Sequence, residues 1–406
     1  MAAVRSVEAI VATTDVHSAL ENPAPMLTYL HQARKRMLVA DCGDFFEGSG
    51  YYTLGGGVVE RRLLAGLYDV LAPGNHGWHH HLKPDLRPLT VCANVTDPAG
   101  NLLFRPLYEA TVAGQRVTIT AVIGEQAFSA IPAAERADAR VLDPSDALRR
   151  LMGAHDADAW IVLSHSGYTR DLRLAETCPG VDVIFSAHCH SDRHHPTTAG
   201  TAQVVKGYEM GVGYALAAPG PAGWTASVHR FPPVDQVPAP LRSVTARIDR
   251  MRGQLAAPIG PLTRAFRDRP LNLSALLAAI AEELHARTGA DAVVLNQTCL
   301  RAADLKGDLT RGDLLQIEPF GNQLTTAPMP RRFTADPAAL LDMLTDRAGP
   351  IITAPAPLPP GLRQVLTTDY LASNFLHTDP LPGGPRLAEV IQRVLTGGFS
   401  DRLRSR

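Results

Sequence analysis

Five short apolar runs in the first half of the chain each end in side chains of types that bind metal ions. Runs of β-branched and aliphatic residues bounded by polar residues, Gly or Pro are typical of strands buried on both faces. In open sheets covered by helices, ligands bind beyond the carboxyl ends of such strands. The run ends carry, in chain order, Asp15 and His17, Asp41 and Asp44, Asn75 and His76, His165, and His188 and His190. The pattern predicts an α/β fold with a metal site at one edge of its sheets.

Length and composition favour two domains and exclude some partners. The chain has 406 residues, 45% of them hydrophobic, which suffices for two ordinary cores. Its formal net charge of -1 offers no basic excess for broad capture of nucleic acid or of an anionic membrane. We therefore expect a small-molecule substrate and neither a nucleic acid nor a membrane as partner.

The cysteines and the N-terminal residues bear on the cellular compartment. The 5 cysteines are scattered and form no CxxC pair, which indicates free thiols in a reducing compartment. Residues 1–8 lead into the first strand without an apolar signal core, and no apolar run approaches the roughly 18 residues of a membrane span. The sequence thus predicts a soluble, cytoplasmic protein.

A proline-rich stretch separates two parts of the chain. Residues 231–240 contain four prolines, and a helical pattern, 244–255, follows them. We predict a metal-binding domain over 1–235, a connector over 236–262, and a substrate-binding domain over 263–406. The second domain should contain a helix over 274–288, since apolar residues repeat there at helical spacing and Gly289 follows.

The mixture of ligand types indicates a transition-type metal. Imidazole, carboxylate and amide groups together suit Zn, Mn, Fe or Co better than Ca. Two ions about 3.5–4 Å apart need a bridging carboxylate. Asp44 is the natural bridge, because Gly43 and Gly48 allow the backbone around it to turn tightly.

Five motifs carry a resemblance to a known family. They are Asp15-Val16-His17, Gly43-Asp44-x-x-Glu47-Gly48, Gly74-Asn75-His76, Ser164-His165-x-Gly167 and Ala187-His188-x-His190. In this order they resemble the calcineurin-like dinuclear metallophosphoesterases, and among these the 5'-nucleotidases. The resemblance implies an N-terminal α/β/β/α sandwich and a smaller C-terminal α/β substrate-binding domain.

The resemblance also implies individual roles. One ion would be held by Asp15, His17, Asp44 and His190, and the other by Asp44, Asn75, His165 and His188. A hydroxide bridging the two ions would attack phosphorus, with His76 beside the leaving oxygen as a general acid or a cationic stabiliser. Where the family usually has an Asp that charges this imidazole, the chain has His79, and an imidazole cannot supply the same negative charge. Either His76 is then a weaker acid catalyst, or Asp85 takes over from outside the motif.

The C-terminal part resembles the substrate-binding domain of the same family. Arg301 and Arg269 would bind an anionic group, and Phe320 with Asn322 would hold a nucleobase. Tyr370 stands where a second aromatic is expected. Asn75 and Asn296 complete the candidate substrate-binding residues. Two family features are absent: Thr298 and Cys299 replace a pair of glycines, and Ser373-Asn374-Phe375 replaces a Gly-Gly-Asp sequence.

Three functions are compatible with these residues. The first is metal-dependent hydrolysis of a phosphomonoester, most simply a nucleoside 5'-monophosphate or a related nucleotide. The second is a phosphodiesterase, or a hydrolase of a modified nucleotide in a biosynthetic pathway. The third is a nucleotide-binding protein that keeps its metals but turns over weakly.

Overall fold

The computed structural model describes residues 6–136, 138–267, 269–378 and 384–398. Contacts divide the chain into two compact units, Met1–Met251 and Arg252–Arg406. The division falls inside the segment predicted as a connector, and there it lies on a helix, Arg242–Leu255. The predicted domain limits themselves stay a prediction. Each unit is described separately.

The first unit is built from two main sheets and their helices. Its strands are Ser6–Val7 (β1), Ala9–Thr13 (β2), Met37–Asp41 (β3), Val70–Leu71 (β4), Val95–Thr96 (β5), Tyr108–Val112 (β6), Gln115–Ile123 (β7), Arg140–Val141 (β8), Ala159–His165 (β9), Val183–Ser186 (β10), Thr197–Ala199 (β11), Ala202–Val205 (β12), Gly213–Gly220 (β13) and Gly223–Arg230 (β14). Its helices are Ala24–Ala33 (α1), Gly50–Gly55 (α2), Val58–Leu67 (α3), Trp78–His81 (α4), Glu125–Ala130 (α5), Ala133–Arg136 (α6), Pro144–Ala154 (α7) and Tyr168–Thr177 (α8), followed by Arg242–Leu255 (α9).

The two sheets each contain a parallel centre. Seven strands pair in the order β1-β6-β7-β9-β10-β12-β11, five pair in the order β14-β13-β2-β3-β4, and β5 pairs with β8. Strands β7, β9, β10 and β12 run parallel, as do β2, β3 and β4. Within each sheet, therefore, the carboxyl ends of the parallel strands lie at one edge.

The apolar runs are explained by burial on both faces of these strands. Ile161 of β9 packs in one core with Ile10 and Leu38 of the other sheet, so the sheets lie face to face. Val162, which points to the opposite face, packs instead with Leu174 of α8. On the other sheet, α1 packs against β3 and α3. The α/β/β/α sandwich implied by the resemblance is confirmed.

The second unit is a smaller α/β assembly. Its strands are Pro258–Pro261 (β15), Arg269–Pro270 (β16), Val293–Asn296 (β17), Asp304–Leu305 (β18), Asp308–Thr310 (β19), Leu324–Pro328 (β20), Ile351–Ala354 (β21) and Gln364–Thr368 (β22), and its helices are Leu273–Thr288 (α10), Arg311–Ile317 (α11), Pro337–Ala348 (α12), Asp369–Phe375 (α13) and Leu387–Thr396 (α14). Four strands form a sheet in the order β20-β22-β17-β21, and two ribbons pair β15 with β19 and β16 with β18.

Helix α10 confirms the periodic helix predicted near residue 274. Asn272 caps its start by accepting a hydrogen bond from the backbone N–H of Ala275, and Gly289 ends it in the left-handed conformation. Its buried stripe packs on one face of the central strand β17, where Val293 and Leu295 lie, while Val294 packs on the other face.

Two further observations concern the whole chain. All five cysteines are free thiols, and Cys189 is the one that is partly exposed. Within the described residues, no helix combines the length and the apolar character needed to cross a lipid bilayer.

Candidate metal centre

The loops after β2, β3, β4, β9 and β10 bring the predicted ligand residues together at the strand ends. Potential ligand atoms within 4.8 Å of one another form three groups: Asp15, His17 and His190; His17, Asp44 and His76; and Asp44, His165 and His188. Asp15, Asp44 and His165 are almost fully buried. Sequence positions from 15 to 190 thus meet in one small volume.

His165 is the most deeply held of these side chains. Its Nδ1 donates to the backbone oxygen of Cys42 at 2.9 Å, which leaves Nε2 to face the site. Around Nε2 lie Asn75 Oδ1 at 3.1 Å and Asp44 Oδ2 at 3.3 Å. Burial alone would lower the pKa of His165, but the Asp44 carboxylate raises it to about 9. The surroundings therefore favour positive charge at this nitrogen, and a metal ion can supply it in place of a proton.

Two other imidazoles are prepared to act as neutral ligands. Burial lowers the pKa of His17 and that of His188 to about 4, so both rings are neutral at physiological pH. The Nε2 atom of His17 is buried and, among the described residues, has no hydrogen-bond partner. An unpaired buried nitrogen is costly unless something binds it, and a metal ion fits that position. The donor set of the site suits transition-type divalent metals.

The backbone at the site is unusual. Asp15, His17, Asp44, His188 and His190 all adopt positive φ angles, of 47°, 50°, 56°, 81° and 37°. Residues other than Gly rarely adopt this conformation, and where they do the surrounding structure must hold them. Five such residues among the candidate ligands indicate a site whose geometry is fixed by the fold.

Two motif glycines are required by close packing around Asp44. A Cβ on Gly74 would lie 2.0 Å from Asp44 Oδ1, and one on Gly43 would lie 2.8 Å from His165 Nδ1. Neither position has room for a side chain, so both glycines set the approach of the ligand-bearing loops.

Glu47 is the carboxylate that contacts His76. Its Oε2 lies 2.8 Å from His76 Nδ1, and its Oε1 accepts from the backbone N–H of Gly77 at 2.8 Å. Burial would lower the pKa of His76, but the hydrogen bond to Glu47 raises it. The backbone N–H of His76 donates to Asp44 Oδ1 at 2.8 Å. The imidazole is thereby held at the edge of the site with a bias towards its charged form.

The carboxylate beside His76 is thus Glu47 and not Asp85. His79 Nδ1 lies 2.9 Å from Glu135 Oε2, and Asp85 forms an ion pair with Arg61 at 3.2 Å. The expectation that Asp85 takes over the charging of His76 is corrected by these contacts. Glu47 stood inside the Gly43-Asp44-x-x-Glu47-Gly48 motif, but spacing alone gave no sign that its side chain reaches His76.

Glu209 supports His190 and was not singled out from the sequence. Its Oε2 lies 2.6 Å from His190 Nδ1, and its Oε1 forms an ion pair with Lys206. Lys206 is buried and also donates to the backbone oxygen of Ser191 at 2.8 Å. A carboxylate bonded to the far nitrogen of an imidazole fixes the ring and strengthens it as a ligand.

Asp171 connects the strands that carry two candidate ligands. It lies buried on α8 and accepts hydrogen bonds from Ser164 at the end of β9 and from Ser186 at the end of β10. Burial raises its pKa to about 7, although both hydroxyls act in the opposite direction. His165 and His188 follow these two serines closely, so Asp171 fixes the separation of their loops.

The second unit contains a cavity of about 270 Å³ that collects most of the predicted substrate residues. Phe320 and Tyr370 are 52% and 44% exposed, which excludes them from the core and leaves their rings open to a ligand. The Arg301 guanidinium lies 4.8 Å from the centre of the Phe320 ring. The lining residues are Asn296, Thr298, Cys299, Arg301, Phe320, Asn322 and Tyr370.

Polar contacts hold the rim of this cavity. Asn322 donates to Glu318 Oε1 at 2.8 Å, and Asn296 donates to Thr298 Oγ1 at 2.6 Å. Thr298 and Cys299, which replace the expected glycines, therefore form part of the wall. Arg269 is exposed on β16, outside the described lining of the cavity.

Comparison with known proteins gives the following similarities. Residues 9–192 match the family model for calcineurin-like phosphoesterases. The chain is 21% identical over 389 residues to the trifunctional nucleotide phosphoesterase protein YfkN of Bacillus subtilis, with 79% of the chain and 26% of that protein covered. It is 26% identical over 220 residues to the 5'-nucleotidase of Bos taurus, with 45% of the chain and 38% of the relative covered. The chain spans well under half the length of these two relatives.

A solved structure extends the likeness to nearly the whole chain. The 5'-nucleotidase precursor from Thermus thermophilus superposes with a TM-score of 0.73 at 20% identity, covering 96% of each chain. The order of elements in both units is therefore shared with a structure of known fold.

Proposed function

Because residues 9–192 form a calcineurin-like phosphoesterase domain, we propose that the chain is a metal-dependent hydrolase of a nucleoside 5'-monophosphate or a related nucleotide. The observation that carries the proposal is the convergence of three donor groups that share Asp44 and His17. A site with that many imidazole and carboxylate donors serves chemistry on phosphate esters when divalent metals are bound.

Two ions, of Zn, Mn, Fe or Co, are proposed to occupy the site. Asp15, His17, Asp44 and His190 would hold one, and Asp44, Asn75, His165 and His188 would hold the other. The unpaired His17 Nε2 and the oxygens gathered around His165 Nε2 support this assignment. When bound, such ions lower the pKa of a coordinated water and neutralise charge on phosphoryl oxygens.

His76 is proposed to act on the leaving group. Its imidazole lies beside Asp44 and His17, and the hydrogen bond to Glu47 raises its pKa, which favours the protonated ring. A protonated imidazole there can donate to the leaving oxygen or stabilise its negative charge. Glu47 then keeps the ring oriented while the proton leaves from Nε2.

The cavity in the second unit is proposed to bind the nucleoside. Phe320 and Tyr370 present exposed rings on which a base can stack, and Arg301 supplies a cation beside them. The relatives named 5'-nucleotidase support a nucleotide as the substrate class. We expect Phe320→Ala to raise the KM for a nucleotide by roughly tenfold or more, because stacking on one base contributes ~1–3 kcal/mol.

A substrate screen on the metal-loaded protein tests the proposal. Phosphate release from nucleoside monophosphates, cyclic nucleotides and p-nitrophenyl phosphate is measured with Mn²⁺ or Zn²⁺ present. We expect nucleoside monophosphates to be hydrolysed, and Asp44→Ala to abolish the activity. Turnover of cyclic nucleotides alone would establish a phosphodiesterase instead. Equal low rates for wild type and Asp44→Ala would reject the hydrolase and favour a binding protein.

A further inference from the structure

A groove of about 470 Å³ opens beside His188 and His190 in the first unit. Arg170 and Arg173 of α8 lie along it, together with the neutral donors Thr169 and Gln126. No carboxylate is found among the described residues that line it. The groove therefore joins the candidate metal centre to a surface of positive charge.

The two arginines are placed to act together. They are three residues apart on one helix, so their side chains project from the same face, and both are exposed. Exposed arginines on neighbouring elements are paired: Arg149 with Asp146 at 2.7 Å and Arg116 with Asp158 at 3.2 Å. Arg170 and Arg173 form no ion pair with any described residue, so their charge is available to a ligand.

Three carboxylates lie with these arginines along a different hollow. That hollow, of about 490 Å³, shares Arg170 and Arg173 with the groove and is also lined by Glu125, Asp143 and Asp171. Asp171 is bonded to Ser164 and Ser186, and Asp143 caps α7. Glu125 is exposed and lines only this second hollow. Among the described residues, the groove on the metal side of the arginines is therefore lined by two guanidinium groups and by no carboxylate.

We propose that the groove binds a second phosphate group of the substrate, so that Arg170 and Arg173 favour nucleotides with two phosphates over nucleoside monophosphates. The proposal rests on the proposed hydrolase function and adds to it a subsite on α8. Two guanidinium groups suit a phosphate because each can donate two parallel hydrogen bonds, and Thr169 and Gln126 can donate to its remaining oxygens.

The reaction itself balances as a hydrolysis. A water oxygen bonds to the phosphorus next to the metal centre, the bond from that phosphorus to the leaving oxygen breaks, and the leaving group takes the proton from His76. The attacking water gives up one proton to solvent, and His76 takes one back from solvent. The second phosphate stays intact in the groove. ADP would carry it on the diphosphate chain and adenosine 3',5'-bisphosphate would carry it on the ribose.

Steady-state kinetics on the Mn²⁺-loaded full chain test the subsite. The measured quantity is kcat/KM for ADP and for adenosine 3',5'-bisphosphate, each divided by kcat/KM for AMP. In Arg170→Ala/Arg173→Ala we expect the ratio for at least one of them to fall by roughly 10–100-fold, since each charged hydrogen bond that is lost has a large effect. Arg170→Lys/Arg173→Lys should recover part of the ratio, and Arg62→Ala, an exposed arginine on α3, should change it less than about twofold.

Two controls accompany the kinetic measurements. Metal content and melting temperature of each variant are compared with wild type, so that misfolding is not mistaken for loss of the subsite. Ratios unchanged in the double alanine variant, or an equal fall for AMP, would overturn the proposal. If wild type hydrolysed none of the three nucleotides, the proposed function would fail. The Kd values of ADP and of adenosine 3',5'-bisphosphate, each divided by the Kd of AMP, would then be measured by calorimetry. Comparing these ratios between wild type and the double alanine variant would test the phosphate subsite without relying on turnover.

Discussion

Glu47 sets the protonation of His76 through a single hydrogen bond. The carboxylate lies against Nδ1 and raises the pKa of the ring, which burial would otherwise lower. A general acid works best when its pKa lies near the working pH, so a buried imidazole needs a partner that raises its pKa. If His76 acts on the leaving group as proposed, catalysis at alkaline pH depends on a carboxylate that is not itself one of the candidate metal ligands.

Glu47→Gln removes the charge while keeping the shape of the side chain. The pKa of His76 should then fall, so the imidazole loses its proton at a lower pH, and the alkaline limb of the kcat/KM profile should move to lower pH. We also expect kcat to fall by roughly tenfold or more. The pH profile with p-nitrophenyl phosphate provides the measurement, and an unchanged alkaline limb would assign the proton to another group.

The substitution Glu209→Gln tests whether the Glu209 carboxylate strengthens His190 as a metal ligand. The neutral amide keeps one hydrogen bond to the ring but removes the negative charge that strengthens it as a ligand, and it leaves buried Lys206 without its carboxylate. Loss of such a supporting carboxylate costs ~10–100-fold in metal affinity. Competition with a chromophoric chelator measures that affinity. A loss of activity with full metal affinity would contradict this role.

At the residue scale the sequence predicts which candidate ligand residues come together, but not the carboxylates that support them. Asp15, His17 and His190 follow apolar runs, and that pattern can be read from the sequence alone. Glu47 and Glu209 reach their imidazoles only through loop conformations that include positive φ angles, and no local spacing encodes those contacts. Supporting carboxylates therefore emerge only from three-dimensional coordinates.

At the scale of elements, α8 has two functions on its two faces. Its buried face carries Asp171, which joins the ends of β9 and β10, and its exposed face carries Arg170 and Arg173. The first function sets the spacing of the loops that bear His165 and His188. A change in α8 should therefore affect both the geometry of the metal centre and the charge beside it.

The substitution Asp171→Asn tests the buried face of α8 through its effect on the free energy of unfolding. Since burial raises the folded-state pKa of Asp171 from 3.8 to about 7, the wild type loses stability as the pH rises from about 4 to about 7 and the buried carboxyl ionises. The asparagine variant lacks this ionisation. The difference in unfolding free energy between the two proteins should shift with pH by roughly 1–4 kcal/mol in favour of the variant. Urea denaturation at pH 4.5 and pH 8 measures it, and a difference independent of pH would contradict the assignment.

Element prediction was most successful where burial is periodic. Helix α10 follows from apolar spacing and from Gly289 at its end, and the parallel strands follow from apolar runs that burial on both faces requires. Short pieces such as β16 and β18 have no such signal, because two-residue strands depend on a partner far along the chain.

At the scale of the molecule, the two units each have their own core and their own candidate site. One core lies between the sheets of the first unit, and another surrounds β17 and α10 in the second. The candidate ligand residues lie in the first unit, whereas the exposed aromatic rings of the cavity lie in the second. Metal binding and nucleotide binding should therefore stabilise different parts of the chain.

Removal of the metal tests whether metal binding stabilises the first unit alone. A ligand that binds only the folded state adds stability in proportion to RT ln(1 + [L]/Kd), or about 2.7 kcal/mol at a hundredfold excess over Kd. We expect chelation to lower the melting temperature of the first unit by several degrees and to leave that of the second nearly unchanged. Scanning calorimetry with and without Mn²⁺ measures both, with Asp44→Ala as the control that should show no response.

The position of Asp44 between the two proposed ions has a consequence for how the centre fills. Both ions need its carboxylate, so the first cation to arrive fixes a ligand that the second also needs. Occupancy at one position then prepares the other, and saturation should follow a sigmoidal curve. Half-filled molecules would be scarce at every concentration, and the enzyme would switch on over a narrow range of free metal.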